Sequence, residues 1–206
     1  MIHLIGAGGH CKVVLDALLE NGADLSDIRV RDGRTERAGD DLLGARIETP
    51  EITDALRNQD FHIAIGAIEA RARLHGEAEA AGGRALAVRH PSARVSRFAE
   101  IASGAFVAAL SVVGPSARIG RGVIVNHGAV VDHDCEVGDF THLAPGCSLG
   151  GGVHVGARCL IGAGAVVLPG LSIGDGVTIG AGAVVTRDVA SNQTWTGVPA
   201  APRVFE

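Results

Sequence analysis

From Val95 to Val185 every sixth residue is Val, Ile or Leu, sixteen positions without a miss. The series runs Val95, Ile101, Val107, Val113 and onward in the same step to Ile173, Ile179 and Val185. A period of six is neither helical nor a simple strand alternation. One short extended segment plus one turn per hexad fits it. The second hexad position is often glycine (Gly114, Gly120, Gly138, Gly150, Gly156, Gly162), which is expected to supply the turn. The fifth is mostly small (Ala105, Ala117, Ala129, Ala165, Ala183), as a crowded corner requires. Stacked repeats of this kind bury a continuous aliphatic core that no single repeat could bury alone.

The hexads resemble those of left-handed parallel β-helix acyltransferases. The resemblance implies three faces per coil, hence eighteen residues, and a little over five coils for this run. The register is uninterrupted, so no long loop is expected to leave the prism. With no Tyr, five Phe and one Trp, the composition suits a narrow aliphatic core. A net charge of −5 without a basic run argues against a nucleic-acid partner. No apolar stretch approaches the length of a membrane span, and the first residues suggest a strand, not a signal peptide. Cys11, Cys135, Cys147 and Cys159 form no CxxC pair. The last three share the fifth hexad position and are expected to be small buried residues. Free thiols without an export signal favour the cytoplasm.

Residues 1–88 follow a different pattern. A strand at Ile2–Ile5 leads to Gly6-Ala7-Gly8-Gly9-His10 and a helix carrying Val13, Val14, Ala17 and Leu18. Further strands are expected near Ile28–Val30, Phe61–Ile65 and Ala85–Val88, with helices near Pro50–Arg57 and Glu69–Ala81. This alternation predicts an α/β domain with a small Rossmann-like parallel sheet. Three parts follow: a nucleotide-binding domain over 1–88, the β-helix over 89–190 and a tail over 191–206.

A glycine-rich strand-to-helix turn leaves backbone N–H groups exposed at a helix N-terminus, which suits a phosphate. The dinucleotide fingerprint is incomplete, because Cys11 stands where its third glycine would be. A nucleoside diphosphate therefore fits better than NAD. Asp32 and Gly66 follow strands, at the sheet edge where ligands bind. Two alternatives stay open. The glycines could serve tight packing alone, and His10 could contact a phosphate or only cap the turn.

Four of the nine histidines lie in the repeat: His127, His133, His142 and His154. His133 is at the third hexad position, pointing outward, with Asp134 beside it. A carboxylate next to an imidazole orients the ring and raises its basicity, as a general base requires. Eighteen residues on, Asp132, His133 and Asp134 meet Gly150, Gly151 and Gly152. Three glycines in a row leave a bare backbone shelf, where an N–H could receive an oxyanion. The plainer alternative is a solvated His-Asp turn beside flexible glycines.

Taken together, GAGGH, the DG after the second strand, the AIG strand end, DHDCEVGDFTHLAPG and TGVPA resemble one family. It is the bacterial nucleotide-amino-sugar acetyltransferases, with sialic-acid O-acetyltransferases as relatives. The resemblance implies a homotrimer with acetyl-CoA in the groove between adjacent prisms. It implies His133 as general base and Asp134 as the acid that orients it, where relatives often have Glu. His142 would touch the cofactor, Gly151 would offer its N–H to the thioester carbonyl, and Ala163 and Ala181 would line pantetheine and adenine. Gly8, Gly9, His10, Asp32, Gly33 and Gly66 would bind the nucleotide-sugar. Many relatives carry two acidic residues after the second strand, whereas this chain has Asp32-Gly33.

The expected activity is acetyl transfer from acetyl-CoA to the amine of a UDP- or GDP-linked 4-amino-sugar, with no metal. Alternatives are O-acetylation of a sugar hydroxyl, a non-catalytic nucleotide-sugar scaffold, and a zinc hydratase of the kind known on this fold. The last needs three converging imidazoles. No two of the prism histidines stand at the eighteen-residue spacing that stacks side chains.

Overall fold

The four apolar or half-apolar residues Ile2–Ile5 form strand β1, whose last three side chains are buried. They lie between two parallel neighbours, β2 (Ile28–Arg31) and β5 (Asp60–Ile63), in register Leu4↔Val30 and Leu4↔His62. With β3 (Asp41–Leu42), β4 (Ala45–Glu48) and β6 (Arg84–Ala85), the sheet order is β3-β4-β2-β1-β5-β6. All pairs are parallel except the β3–β4 hairpin. This computed structural model describes residues 1–203, and the chain divides into two compact units, Met1–Pro91 and the part from Ser92 onward.

Helix α1 (Gly9–Glu20) buries Cys11, Val14, Leu15, Ala17 and Leu18. Helix α2 (Ile68–Ala80) buries Arg71, Leu74, His75 and Ala78, the spacing of one helical stripe. The helix expected near Pro50–Arg57 is not formed. That segment holds only a single 3-10 turn, Asp54–Leu56, capped by the Thr53 side chain and ended by Asn58 at φ 60°. Leu56 is its only buried residue, too little apolar face to hold a longer helix. The strand expected near Ala85–Val88 is instead two short ones, β6 and β7 (Val88–Arg89).

From residue 94 to Val185 the chain coils as a triangular prism of two-residue strands, stacked in parallel at a spacing of eighteen residues. One face stacks Val112, Val130, Ser148, Val166 and Val184. A second stacks Phe106, Ile124, His142, Leu160 and Thr178, and the third Glu100, Arg118, Glu136, His154 and Ser172. The hexad aliphatics from Val107 to Val185 form one core with the alanines and cysteines of the fifth position. Fully burying each such aliphatic stabilises by roughly 1.5–3 kcal/mol. Cys135, Cys147 and Cys159 are buried free thiols, and burial pushes Cys147 up to about 12. They are therefore protonated fillers, not nucleophiles.

The turn lies elsewhere than the glycine count suggests. From Gly104 to Gly182 every sixth residue has φ between 55° and 72°, and these are the fourth hexad positions, filled by Gly, Leu110, Ser116, Asp134, Phe140 and Arg158. The second-position glycines answer a different need. A Cβ on Gly138 would stand 2.5 Å from the Ala157 backbone nitrogen, and one on Gly162 equally close to that of Ala181. They let successive coils approach, and the fourth position makes the turn.

At the far end Thr194–Thr196 continues one face beside Thr178–Ile179, and Ala201–Pro202 folds back antiparallel on it. Trp195 covers the core end, under the Arg187 guanidinium at 5.1 Å. Of the expected tail, residues 204–206 lie outside the described residues.

Candidate functional site

In the N-terminal unit the carboxyl edge of β1, β2 and β5 opens into a cleft of about 420 Å3. Its lining includes all six residues expected at a nucleotide-sugar site: Gly8, Gly9, His10, Asp32, Gly33 and Gly66. A side chain at Gly8, Gly9 or Gly66 would meet nothing within 4 Å. None of the three has a left-handed φ, in contrast to Gly6 at φ 99°. Neither packing nor backbone conformation therefore accounts for these glycines. What they do is bare the cleft floor. Gly8 caps α1 with no side chain of its own, and no acidic residue occupies the first turn. Among the described residues no acceptor takes the Gly8 or Gly9 N–H. Uncovered amides at a helix N-terminus suit an anion.

Asp32 builds the turn. Its Oδ2 accepts from the Ala7 N–H at 2.8 Å and Arg34 Nη2 at 2.9 Å, and its Oδ1 from the Arg34 N–H at 3.0 Å and Arg34 Nε at 2.8 Å. The Arg34 hydrogen bonds foremost hold this carboxyl far below the usual carboxylate range. Arg37 braces the same turn through the Ala7 carbonyl at 2.7 Å. Buried Arg71 donates to the carbonyls of Ile65 and Gly66 at 3.1 and 2.7 Å, fixing the strand end across the cleft. Sequence reasoning missed Arg34, Glu51 and Arg73, which also line the cleft. Glu51 was hidden inside the expected helix, and no motif marks the two arginines.

On the prism, His133 and Asp134 stand at one corner, exposed. His133 Nδ1 lies 2.8 Å from Asp134 Oδ2. An ionised carboxylate only accepts, so Nδ1 carries the proton and Nε2 of the neutral ring keeps its lone pair. The Asp134 hydrogen bond, then the charge of Asp132, raises the imidazole above its ordinary value. The Asp134 side chain is long enough to reach the ring of the residue before it. One coil on, the Gly152 N–H donates to the His133 carbonyl at 2.9 Å, and a Cβ on Gly151 would stand 2.5 Å from His133 Nε2. Gly151 is thus the floor beneath the ring. Among the described residues its N–H has no acceptor.

The other expected cofactor residues lie apart from this corner. His142 is half-buried on the face of Ile124 and Leu160, where Asn126 Nδ2 donates to its Nε2 at 3.1 Å. Ala163 and Ala181 stack at the next corner, with the Gly182 N–H on the Ala163 carbonyl at 2.8 Å, and both are exposed. Within one chain, His133 and Gly151 share one corner and the two alanines share another. Among the described residues no group of three or more His, Cys, Asp or Glu could hold a metal ion, and no helix is long and apolar enough to cross a membrane.

A prism of hexapeptide repeats with a His-Asp pair over a glycine floor, in a chain that also carries a small parallel-sheet unit with a glycine-lined cleft, fits an acyltransferase of the hexapeptide-repeat class. Residues 134–169 and 152–187 match the bacterial transferase hexapeptide family, and residues 1–78 match the PglD N-terminal domain. Perosamine N-acetyltransferase from Caulobacter crescentus, in complex with CoA and GDP-perosamine, is 35% identical. That match covers 99% of this chain and 97% of that one, with a TM-score of 0.93. The acetyltransferase domain of PglB from Neisseria gonorrhoeae, in complex with acetyl coenzyme A, is 34% identical over 98% of each chain, with a TM-score of 0.91. WeeI from Acinetobacter baumannii is 27% identical over 98% of this chain and 99% of that one, with a TM-score of 0.88. No curated protein sequence matches. The chain belongs to the nucleotide-amino-sugar N-acetyltransferases of the hexapeptide-repeat superfamily, and its prism is their left-handed β-helix.

Proposed function

We propose that the chain transfers the acetyl group of acetyl-CoA to the 4-amine of an amino-sugar carried on a nucleoside diphosphate. The observation that carries the chemistry is the His133 ring, held by Asp134 at Nδ1 and lying against Gly151. Acetyl-CoA supplies an activated acyl group. His133 Nε2 takes a proton from the amine as its nitrogen bonds to the carbonyl carbon. The Gly151 N–H donates to the carbonyl oxygen as charge develops there. The carbon–sulfur bond then breaks, and the proton held by His133 is available to the departing thiolate. Gly8, Gly9, His10, Asp32, Gly33 and Gly66 form the nucleotide end of the acceptor site, with the diphosphate on the α1 N-terminus.

His142, Ala163 and Ala181 would hold the cofactor from a second copy of the chain, because they occupy a different face and corner from His133. This division supports a homotrimer whose cofactor grooves lie between copies. Four buried free thiols suit a reducing compartment, which supports a cytoplasmic location.

The test is thiol release from acetyl-CoA by the full chain, offered GDP- and UDP-linked 4-amino-sugars and sialic acid. Turnover with an amine is expected. His133→Ala should lower kcat by about 10²–10⁴ with little change in acetyl-CoA affinity. Near-full kcat in that variant would remove His133 from the mechanism. Turnover with sialic acid alone would replace the amine by a hydroxyl acceptor.

A further inference from the structure

Gly33 lies against a second acidic residue in the cleft. A Cβ there would collide with the carboxylate of Glu51. Glu51 comes from the segment after β4 and lines the same cleft as the glycine turn. Its approach is fixed from behind. Buried Arg31 donates to the Pro50 carbonyl at 3.1 Å and to Glu48 Oε2 at 2.7 Å, and the Asp32 N–H donates to the Glu48 carbonyl at 3.0 Å.

The two carboxylates beside Gly33 differ in what they have left to offer. Asp32 already receives four donors, two on each oxygen, and is almost fully buried. Glu51 is half-buried and has no hydrogen bond or ion pair among the described residues. Both its oxygens are therefore open acceptors, and a carboxylate takes donors only. When a diphosphate sits on a glycine turn before α1, the sugar of the nucleoside falls at the end of the second strand. Gly33 and Glu51 occupy that place.

Resting on the proposed nucleotide-sugar site, we infer that Glu51 is the residue that binds the ribose of the nucleotide, its two oxygens accepting from the 2′- and 3′-hydroxyls. Asp32 shapes the turn and Glu51 reads the sugar. Glu51 arrives from the segment after β4, the strand beside β2, and its carboxylate lies against Gly33. The ligand class this selects is a ribonucleoside diphosphate over its deoxy counterpart.

The test is calorimetric binding of GDP, 2′-deoxy-GDP, UDP and 2′-deoxy-UDP to the full chain, to Glu51→Ala and to Glu51→Gln. Hydrogen bonds to a charged group are worth enough for a loss of about 10- to 100-fold. The wild type should prefer the ribonucleotide by about that factor. Glu51→Ala should weaken ribonucleotide binding by the same factor and abolish the preference, with Glu51→Gln between. Unchanged binding in Glu51→Ala, or an equal loss for ribo and deoxy ligands with the preference kept, would overturn the inference. So would a wild type indifferent to the 2′-hydroxyl. Should Glu51→Ala fail to fold, Glu51→Gln carries the same comparison. If no nucleoside diphosphate binds the wild type, the nucleotide site itself is wrong and the inference goes with it. Retained binding without dependence on Glu51 removes the inference alone.

Discussion

Asp134 meets two demands at once. It occupies a fourth hexad position at φ 59°, a left-handed conformation that Asp tolerates better than most side chains, and it reaches His133 Nδ1 at 2.8 Å. The sequence displays the second role, because a His-Asp pair among hexads stands out. The first is invisible there, because the left-handed positions are filled by residues as different as Leu110, Phe140 and Arg158. The pair makes a testable statement about pH. A base must be neutral to act, and Asp134 foremost raises His133 above its ordinary 6.5. The rate should therefore fall as pH drops through a value above 6.5. Asp134→Asn should move that acid limb to lower pH and also reduce kcat, since an amide can present its N–H to Nδ1 and fix the wrong tautomer. An acid limb that does not move would separate Asp134 from the base. Gly151→Ala probes the floor. The substitution is conformationally permitted but places a methyl 2.5 Å from the ring. Expect a loss of kcat of at least about tenfold with a nearly unchanged melting temperature.

Among the elements, the hexad aliphatics were legible because each coil repeats one inward position, and the core they form is continuous from Val107 to Val185. The role of the second-position glycines was misjudged, because composition cannot separate a glycine needed for its φ from one needed for its size. Geometry separates them. Gly138→Ala would press a methyl 2.5 Å from the Ala157 nitrogen, a backbone atom locked in the next coil. The strain cannot be relieved by a rotamer, so a cost of about 1–3 kcal/mol is expected. Thermal melting of the variant checks it, and an unchanged midpoint would mean that the coils can separate locally. In the N-terminal unit the hairpin β3–β4 and the missing helix near Pro50 were not legible. These elements are two to four residues long, below the length at which periodicity discriminates. The cleft glycines were legible as a motif, yet only the open space above Gly8, Gly9 and Gly66 separates ligand room from packing.

Across the whole chain the two units differ in what they bury. Among the described residues, the buried His, Arg and Asp side chains (His3, Arg31, Asp32, His62, Arg71 and His75) all belong to the N-terminal unit. The buried polar side chains of the prism are Ser111 and Thr141, neither of which titrates. This asymmetry gives the units different responses to acid. Burial lowers His62 from 6.5 to about 4, against the raising effect of its bond to the Leu86 carbonyl at 3.0 Å. Burial lowers His3 as well. A histidine whose folded value is lowered takes up its proton first in the unfolded chain, so stability falls as pH drops from about 6.5 toward 4. For His62 alone the loss by pH 4 is about 3 kcal/mol, a large share of the stability of a domain this size. Asp32, held far below its usual range, adds its loss only at lower pH. Both α-helices lie in this unit, so ellipticity at 222 nm reports on it. Between pH 7 and 4.5 the midpoint of the 222 nm melt should fall steeply, while the Trp195 fluorescence transition, reporting on the prism end, should move far less. His62→Gln, which keeps a donor for the Leu86 carbonyl, should flatten the helical response. Parallel shifts of both signals would mean that the units unfold as one and that the acid sensitivity belongs to the chain as a whole.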